Sequence, residues 1–356
     1  TWNIGLDWGL FNNRLTGSFE YFIRDTKNMV GPGAELPATL GTEVPKTNNC
    51  DLRSHGWDLE IAWNDQLPFG LSYGARFVLS DARTKITRYN NNPSNSLNTY
   101  IQGRYINEIW GYETIGVART NDEMNAHLSS LPNGGQAALG SNFAAGDVMY
   151  ADLNGDGKID NGANTLENHG DLKLIGNSTP RYMFSFDLTG AWKGFDLRLF
   201  FQGVMKRDYW QGSGYFWGIA GDFWWSQGLT GHSDYFRDAD TWSVKGGYSA
   251  ENIDSYFPRP IFGNDGNKNH QTQTRYLQDA SYIRLKNLQV GYTLPQNLTR
   301  KIALEKVRVF FSAENLWTGT KLNKLFDPET IDDPNGWGGC AYPLSRTYSF
   351  GVSVTL

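Results

Sequence analysis

Residues 181–203, RYMFSFDLTGAWKGFDLRLFFQG, decide the fold. Read in steps of two, Tyr182, Phe184, Phe186 and Leu188 share one side with Gly190 and Trp192. Met183, Ser185, Asp187, Thr189 and Ala191 take the other side. Lys193, Gly194 and Phe195 turn the chain, after which Leu197, Leu199 and Phe201 alternate with Asp196, Arg198 and Gln202. A period of two places successive side chains on opposite faces of a strand. The stretch therefore predicts a β-hairpin with one bulky aromatic face and one face of charged and small polar groups. A soluble sandwich strand alternates too, but a barrel in lipid requires the apolar set to face outward and the polar set inward.

The pattern recurs along the chain and predicts strands near 2–10, 15–27, 53–63, 70–84, 181–192, 195–205, 277–294, 306–315 and 345–356. Trp2, Ile4, Leu6, Trp8 and Leu10 open it; Tyr348, Phe350, Val352, Val354 and Leu356 close it. In 277–294 the apolar parity slips near Lys286 and Asn287, the signature of a β-bulge. Connections are short at 11–14, 64–70, 193–195 and 295–306, and long at 27–52, 85–180, 206–274 and 316–343. That strict sorting by length matches an outer-membrane barrel, with tight turns on one rim and long extracellular loops on the other. Trp2, Trp57, Trp63, Trp192 and Tyr348 fall near strand ends, where an interfacial girdle belongs. The expected fold class is all-β, a transmembrane antiparallel β-barrel. Nine is an odd number, and an open sheet leaves two unpaired edges in lipid. Either strands are missed or these are the C-terminal strands of a larger barrel, and the second is favoured.

Composition agrees. The 356 residues are 39% hydrophobic and 14% aromatic, with 40 glycines and a mean hydropathy of −0.50. No run of about 18 apolar residues provides a membrane helix, and a barrel needs none. A net charge of −5 without a basic tract argues against nucleic acid as a partner. The chain opens directly on a strand rather than a signal peptide. Its two cysteines, Cys50 and Cys340, are either unrelated loop thiols or a bridge, and sequence does not choose.

Several segments resemble SusC/RagA-type TonB-dependent outer-membrane transporters of Bacteroidota. These are WNIGLDWGLFNNRLTGSFEYFIRDTKNM (2–29), LPATLGTEVP (36–45), GWDLEIAW (56–63), IGNSTPRYMFSFDLTGAWKGFDLRLFFQG (175–203), YLQDASYIRLKNLQVGYTLP (276–295), VRVFFSAENLWTGT (307–320) and RTYSFGVSVTL (346–356). The resemblance implies a plugged 22-stranded barrel of which this chain is about the last nine strands, with the plug and the N-terminal strands lying outside it. Leu356 departs from the aromatic residue with which members usually finish. The implied function is TonB-dependent active import of an oligomeric nutrient, glycan or oligopeptide, with no bond made or broken. The implied partners are a SusD-like surface lipoprotein acting as a lid, the TonB complex acting through the plug, the rest of the same barrel, and outer-membrane lipid. A dimer of transporter–lipoprotein pairs is compatible with it.

The sharpest local motif is the loop from Asp152 through Asn154, Asp156, Gly157 and Lys158 to Asp160. Oxygen side chains at places one, three and five, a glycine at six and a carboxylate at nine fit a calcium loop, with the Lys158 carbonyl at seven. Ala163 stands at place twelve, so Glu167 or Asp171 would have to close the shell. The expected cofactor is a structural calcium ion; the alternative is an Asx-rich turn that holds itself. Within the aromatic run 209–225, Trp210, Tyr215, Trp217, Trp224 and Trp225 are candidate substrate contacts, against a plain loop core or a face for the lid. The charges Asp58, Glu60, Asp187, Asp196, Arg198 and Arg308 fall on the polar strand face, where a plug would meet them. Five scattered histidines and no Ser/His/Asp set leave catalysis without support. The rival readings are a passive or structural outer-membrane barrel, and a secreted glycan-binding module.

Overall fold

The computed structural model describes residues 1–31, 37, 39, 41, 46–218, 228–331 and 341–356. In chain order the strands are β1 (Trp2–Leu10), β2 (Leu15–Gly31), β3 (Thr47–Gln66), β4 (Ser72–Tyr89), β5 (Glu108–Tyr112), β6 (Thr114–Val117), β7 (Val148–Tyr150) and β8 (Leu172–Asn177). Then come β9 (Arg181–Trp192), β10 (Phe195–Lys206), β11 (Asp208–Tyr209), β12 (Gln278–Asp279), β13 (Tyr282–Thr293), β14 (Lys306–Thr320) and β15 (Thr347–Thr355). Nine of them form one sheet in the order β1-β2-β3-β4-β9-β10-β13-β14-β15, every pair antiparallel. Among the described residues no helix is long and apolar enough to cross a membrane.

The register carries the alternation from strand to strand. Leu6, Phe19, Leu59, Leu79 and Phe184 stand abreast in one row, and Tyr73, Gly190, Leu197, Val290, Phe311 and Phe350 in another. Directly paired residues project to the same side, so one whole face of the wall is apolar. Ile4, Leu6, Phe350 and Val352 on that face are more than half exposed. The opposite face carries bidentate ion pairs across strands: Arg76 with Glu60 at 2.6 Å, Arg198 with Asp187 at 2.6 Å and Arg308 with Asp196 at 2.5 Å. From Phe184 to Trp192 the apolar face of β9 runs about 26 Å along the strand. At the usual tilt that is a height of about 20 Å, close to a bilayer's hydrocarbon band.

The central hairpin turns in two residues rather than three. Phe195 already pairs with Trp192, because Lys193 (φ 47°) and Gly194 (φ 90°) both take positive φ, the geometry whose twist suits a tight hairpin. The expected bulge is present: pairing to both neighbours slips between Leu285 and Asn287. It lets Ile283 and Leu285 share the apolar face with Leu288 and Val290 despite their opposite parity. β2, β3, β4 and β14 run beyond the expected bounds. The extensions of β2 and β3 carry register slips, at Thr26–Val30 and between Asp51 and Leu52, that break the plain alternation a sequence reading follows. The 85–180 segment, in which no comparable strand is expected, holds four short ones and the helix α1 (Asn121–Ser129). Its strands pair with one another, β5 with β8 and β6 with β7, and Tyr112 also bridges to Gln273 of the next long connection. Short strands bounded by turns show no long periodic run, which is why the sequence hides them.

Candidate functional site

Three long connections on one rim fold together. Tyr112, Val148, Tyr150 and Ile159 from the first share a buried core with Phe216, Trp217, Phe257 and Tyr276 from the second and Leu322, Phe326 and Ile331 from the third. A charge cluster joins the first two. Asp147, fully buried, accepts hydrogen bonds from Arg259 Nε (2.8 Å) and Nη2 (2.7 Å), Asn269 Nδ2 (2.9 Å) and the Ala144 N–H (2.9 Å). Lys268 Nζ lies 3.1 Å from the same carboxylate and donates to the carbonyls of Ser141 (2.7 Å) and Asn142 (2.9 Å). Residues so far apart in sequence carry no local signal, and the cluster is absent from any sequence-based expectation.

The expected aromatic contacts separate. Trp217 is 6% exposed, stacked on His270 at 4.3 Å and edge-on to Tyr276 at 4.8 Å. It serves the loop core, although its indole N–H has no acceptor among the described residues. Trp210 packs beside it, ring centroids 6.2 Å apart. Tyr215 sits at the edge, 39% exposed, against Phe326. Trp224 and Trp225 lie outside the described residues, as does Cys340; Cys50 is buried beside Ile86 and Tyr89. Burial pushes the His270 imidazole down to about 4.

The 152–160 loop is an Asx network. Asp152 accepts from the N–H groups of Gly155 (2.7 Å) and Gly157 (2.8 Å), Asn154 from Asp156 (2.9 Å), and Asp156 from Lys158 (3.2 Å). The Lys158 ammonium is paired with Asp160. Asp171, buried, receives the N–H groups of Leu153 (2.8 Å) and Asp160 (2.9 Å), and burial pushes its carboxyl up. Glu167 turns away to Asn95 at 2.8 Å. Among the described residues no three His, Cys, Asp or Glu side chains converge as a metal site. The oxygens have the calcium-loop order, but as folded the backbone and Lys158 use them. Nearby, Asn98, Trp110, Asn161, Asn164 and Gln271 line a cleft of about 300 Å³. Its one charged wall residue, Glu108, is engaged by Arg104 at 2.8 Å.

With an apolar and a charged face on one antiparallel wall and a folded cap on one rim, comparison with known proteins is decisive. The family described as "TonB dependent receptor-like, beta-barrel" matches residues 1–204. The chain belongs to this family. Its apolar face is therefore the lipid face of an outer-membrane β-barrel and its charged face looks into the bore. The family is one of receptors and transporters, not enzymes. The chain is 27% identical over 373 aligned positions to TonB-dependent receptor P3 of Formosa agariphila, covering 99% of this chain and 33% of that protein. It is 23% identical over 378 positions to TonB-dependent receptor SusC of Bacteroides thetaiotaomicron, covering 99% and 31%. Among solved structures, that of the RagAB peptide transporter shares the fold, with a TM-score of 0.68 at 20% identity over 99% of this chain and 34% of that one. The chain thus spans about a third of the length of the curated relatives it matches.

Proposed function

We propose that this chain supplies nine strands of wall and the extracellular cap of an outer-membrane transporter that imports an oligomeric nutrient, glycan or oligopeptide, by TonB-dependent active transport. The observation that carries the reading is the shared core of the three long connections, which turns one rim into a single folded cap. Plain tethers would need no such core. In this reading the cap faces outward, a SusD-like surface lipoprotein closes over it, and the edges of β1 and β15 pair with further strands of the same barrel. TonB acts through a plug that meets the charged bore face. Tyr215 and Trp210 at the edge of the cap are the proposed cargo contacts; Trp224 and Trp225 are proposed alongside them from the sequence alone. The cleft at Trp110 adds amides that suit hydroxyl- or amide-bearing oligomers alike.

The test is uptake by a strain lacking the full-length gene, scored on defined glycan and oligopeptide pools. Active import predicts loss of growth on one pool, reproduced by deleting tonB or collapsing the proton gradient. Uptake that survives the loss of TonB would identify a passive pore and end the proposal.

We propose further that the 152–160 loop takes a calcium ion with a structural role. Hard oxygens in calcium-loop order support it, and each Asx oxygen that accepts an amide keeps a lone pair for a cation. Calcium would compete with the Lys158 ammonium for Asp160, so binding would free that lysine. Chelation should lower the melting temperature of the full-length protein, and Lys158→Gln should tighten calcium binding. Identical melting with EDTA, together with no metal by elemental analysis, would leave the self-held turn.

A further inference from the structure

The lipid face of β2–β4 changes character at a definite height. Above the row of Leu59 and Leu79 come Trp57 opposite Asp81, then His55 opposite Arg83, then Arg53 opposite Lys85. Lys85 also bridges to Tyr105 of the first long connection, which brings that ring to the same side. The Arg83 guanidinium lies 3.7 Å over the Tyr105 ring, and the His55 ring is 6.3 Å from it. An aromatic with basic groups one or two rows above an apolar band is the composition of a membrane–water boundary.

Beside this row lies a cleft of about 270 Å³ whose lining includes Arg83, Tyr105, Arg181, Lys206 and Asp208. Its charges do not cancel. Arg181 is held by both oxygens of Asp81, and Glu108 on the same wall is neutralised by Arg104. Asp208 accepts the Asn177 N–H at 3.0 Å. Arg83 and Lys206 have no carboxylate within ion-pair distance among the described residues. The balance is one surplus positive charge, set in a cavity at the height where a lipid carries its headgroup.

We propose that this cleft binds the phosphate of an outer-leaflet glycolipid, with Arg83 and Lys206 as its cationic contacts and Tyr105 against its sugar. Arg83 offers a planar fork matched to phosphate and Lys206 a point charge. The inference rests on the long connections being extracellular, which labelling of Glu251→Cys on whole cells reads independently. Because a soluble anion presents the same chemistry, the test has two arms.

The full-length protein in detergent is incubated with an acylated glucosamine disaccharide bearing phosphate, with the same lipid after phosphatase treatment, and with inorganic phosphate. Retained adducts are counted by native mass spectrometry, and folding is checked by heat-modifiable migration. The phosphorylated lipid should be retained about tenfold or more over the dephosphorylated one. Arg83→Gln with Lys206→Gln should abolish that preference, and Arg83→Lys should keep most of it. An undiminished preference in the folded double variant, or equal retention of the two lipids, overturns the proposal. Competition by inorganic phosphate as effective as by the lipid would make it a soluble-anion site and overturn the lipid assignment.

Discussion

Replacing Asp147 by alanine in the full-length protein tests whether the two large connections are held together by buried charge. The side chain is fully buried, and its loss leaves Lys268, 1% exposed, without its counter-charge. Breaking a buried pair from one side costs about 3–5 kcal/mol, mostly for the charge left behind. Two features favour the lower end: Lys268 keeps the Ser141 and Asn142 carbonyls, and the Arg259 side chain is 32% exposed and can rehydrate. About 3 kcal/mol is expected. The assay is native-state hydrogen exchange at Val148 and Tyr150, whose N–H groups donate to Asn269 Oδ1 and Gln136 Oε1 inside this core. A loss of about 3 kcal/mol in local opening predicts exchange about 100-fold faster there, with the strands of the wall unchanged. Adding Lys268→Met to Asp147→Ala should recover at least about 1 kcal/mol of that loss, since the stranded ammonium is gone. Exchange in Asp147→Ala within about threefold of the parent would refute the reasoning. So would a double variant whose loss equals the sum of the two single losses.

Trp217→Ala should destabilise the cap by about 3–5 kcal/mol, as large-to-small changes in a packed core do, and exchange at the Phe257 amide, which donates to the Asp234 carbonyl at 2.9 Å beside the Trp217 ring, reports it. The pH dependence of the cap follows from His270. Unfolded, its imidazole takes a proton near 6.5, but folded only near about 4. Stability is therefore full above about pH 6.5 and falls on the order of 3 kcal/mol as pH drops to about 4; His270→Gln should flatten that slope in exchange measured across the window. Deleting Lys286 removes the extra residue and leaves Ile283, Leu285, Leu288 and Val290 in plain alternation on the apolar face, so heat-modifiable folding should survive, and its loss would refute the reading of Lys286 as the bulged residue. Lys286→Ala, which keeps the residue count and loses only the 2.9 Å pair with Glu329, should still fold.

The wall was legible in the sequence because its information is local. Alternation at period two assigns a face to each residue without knowledge of partners, so Phe184, Leu199 and Val352 could be set apart from Ser185, Arg198 and Ser353 in advance. Even the slip at Lys286 shows as a break in parity. The cap was not legible for the opposite reason. Its order comes from contacts such as Asp147 with Lys268 and Trp217 with His270, between residues separated by long stretches of polar chain with no period. Nothing near Trp217 marks it as core rather than contact surface. The charge surplus beside Tyr105 is likewise a tertiary fact, since it depends on which of Arg83, Arg181 and Lys206 finds a carboxylate. Sequence alone determined which side of each strand meets lipid, because adjacent residues fix that. Only the tertiary structure decided what the loops build, because their free energy lies in pairs that the chain brings together from afar.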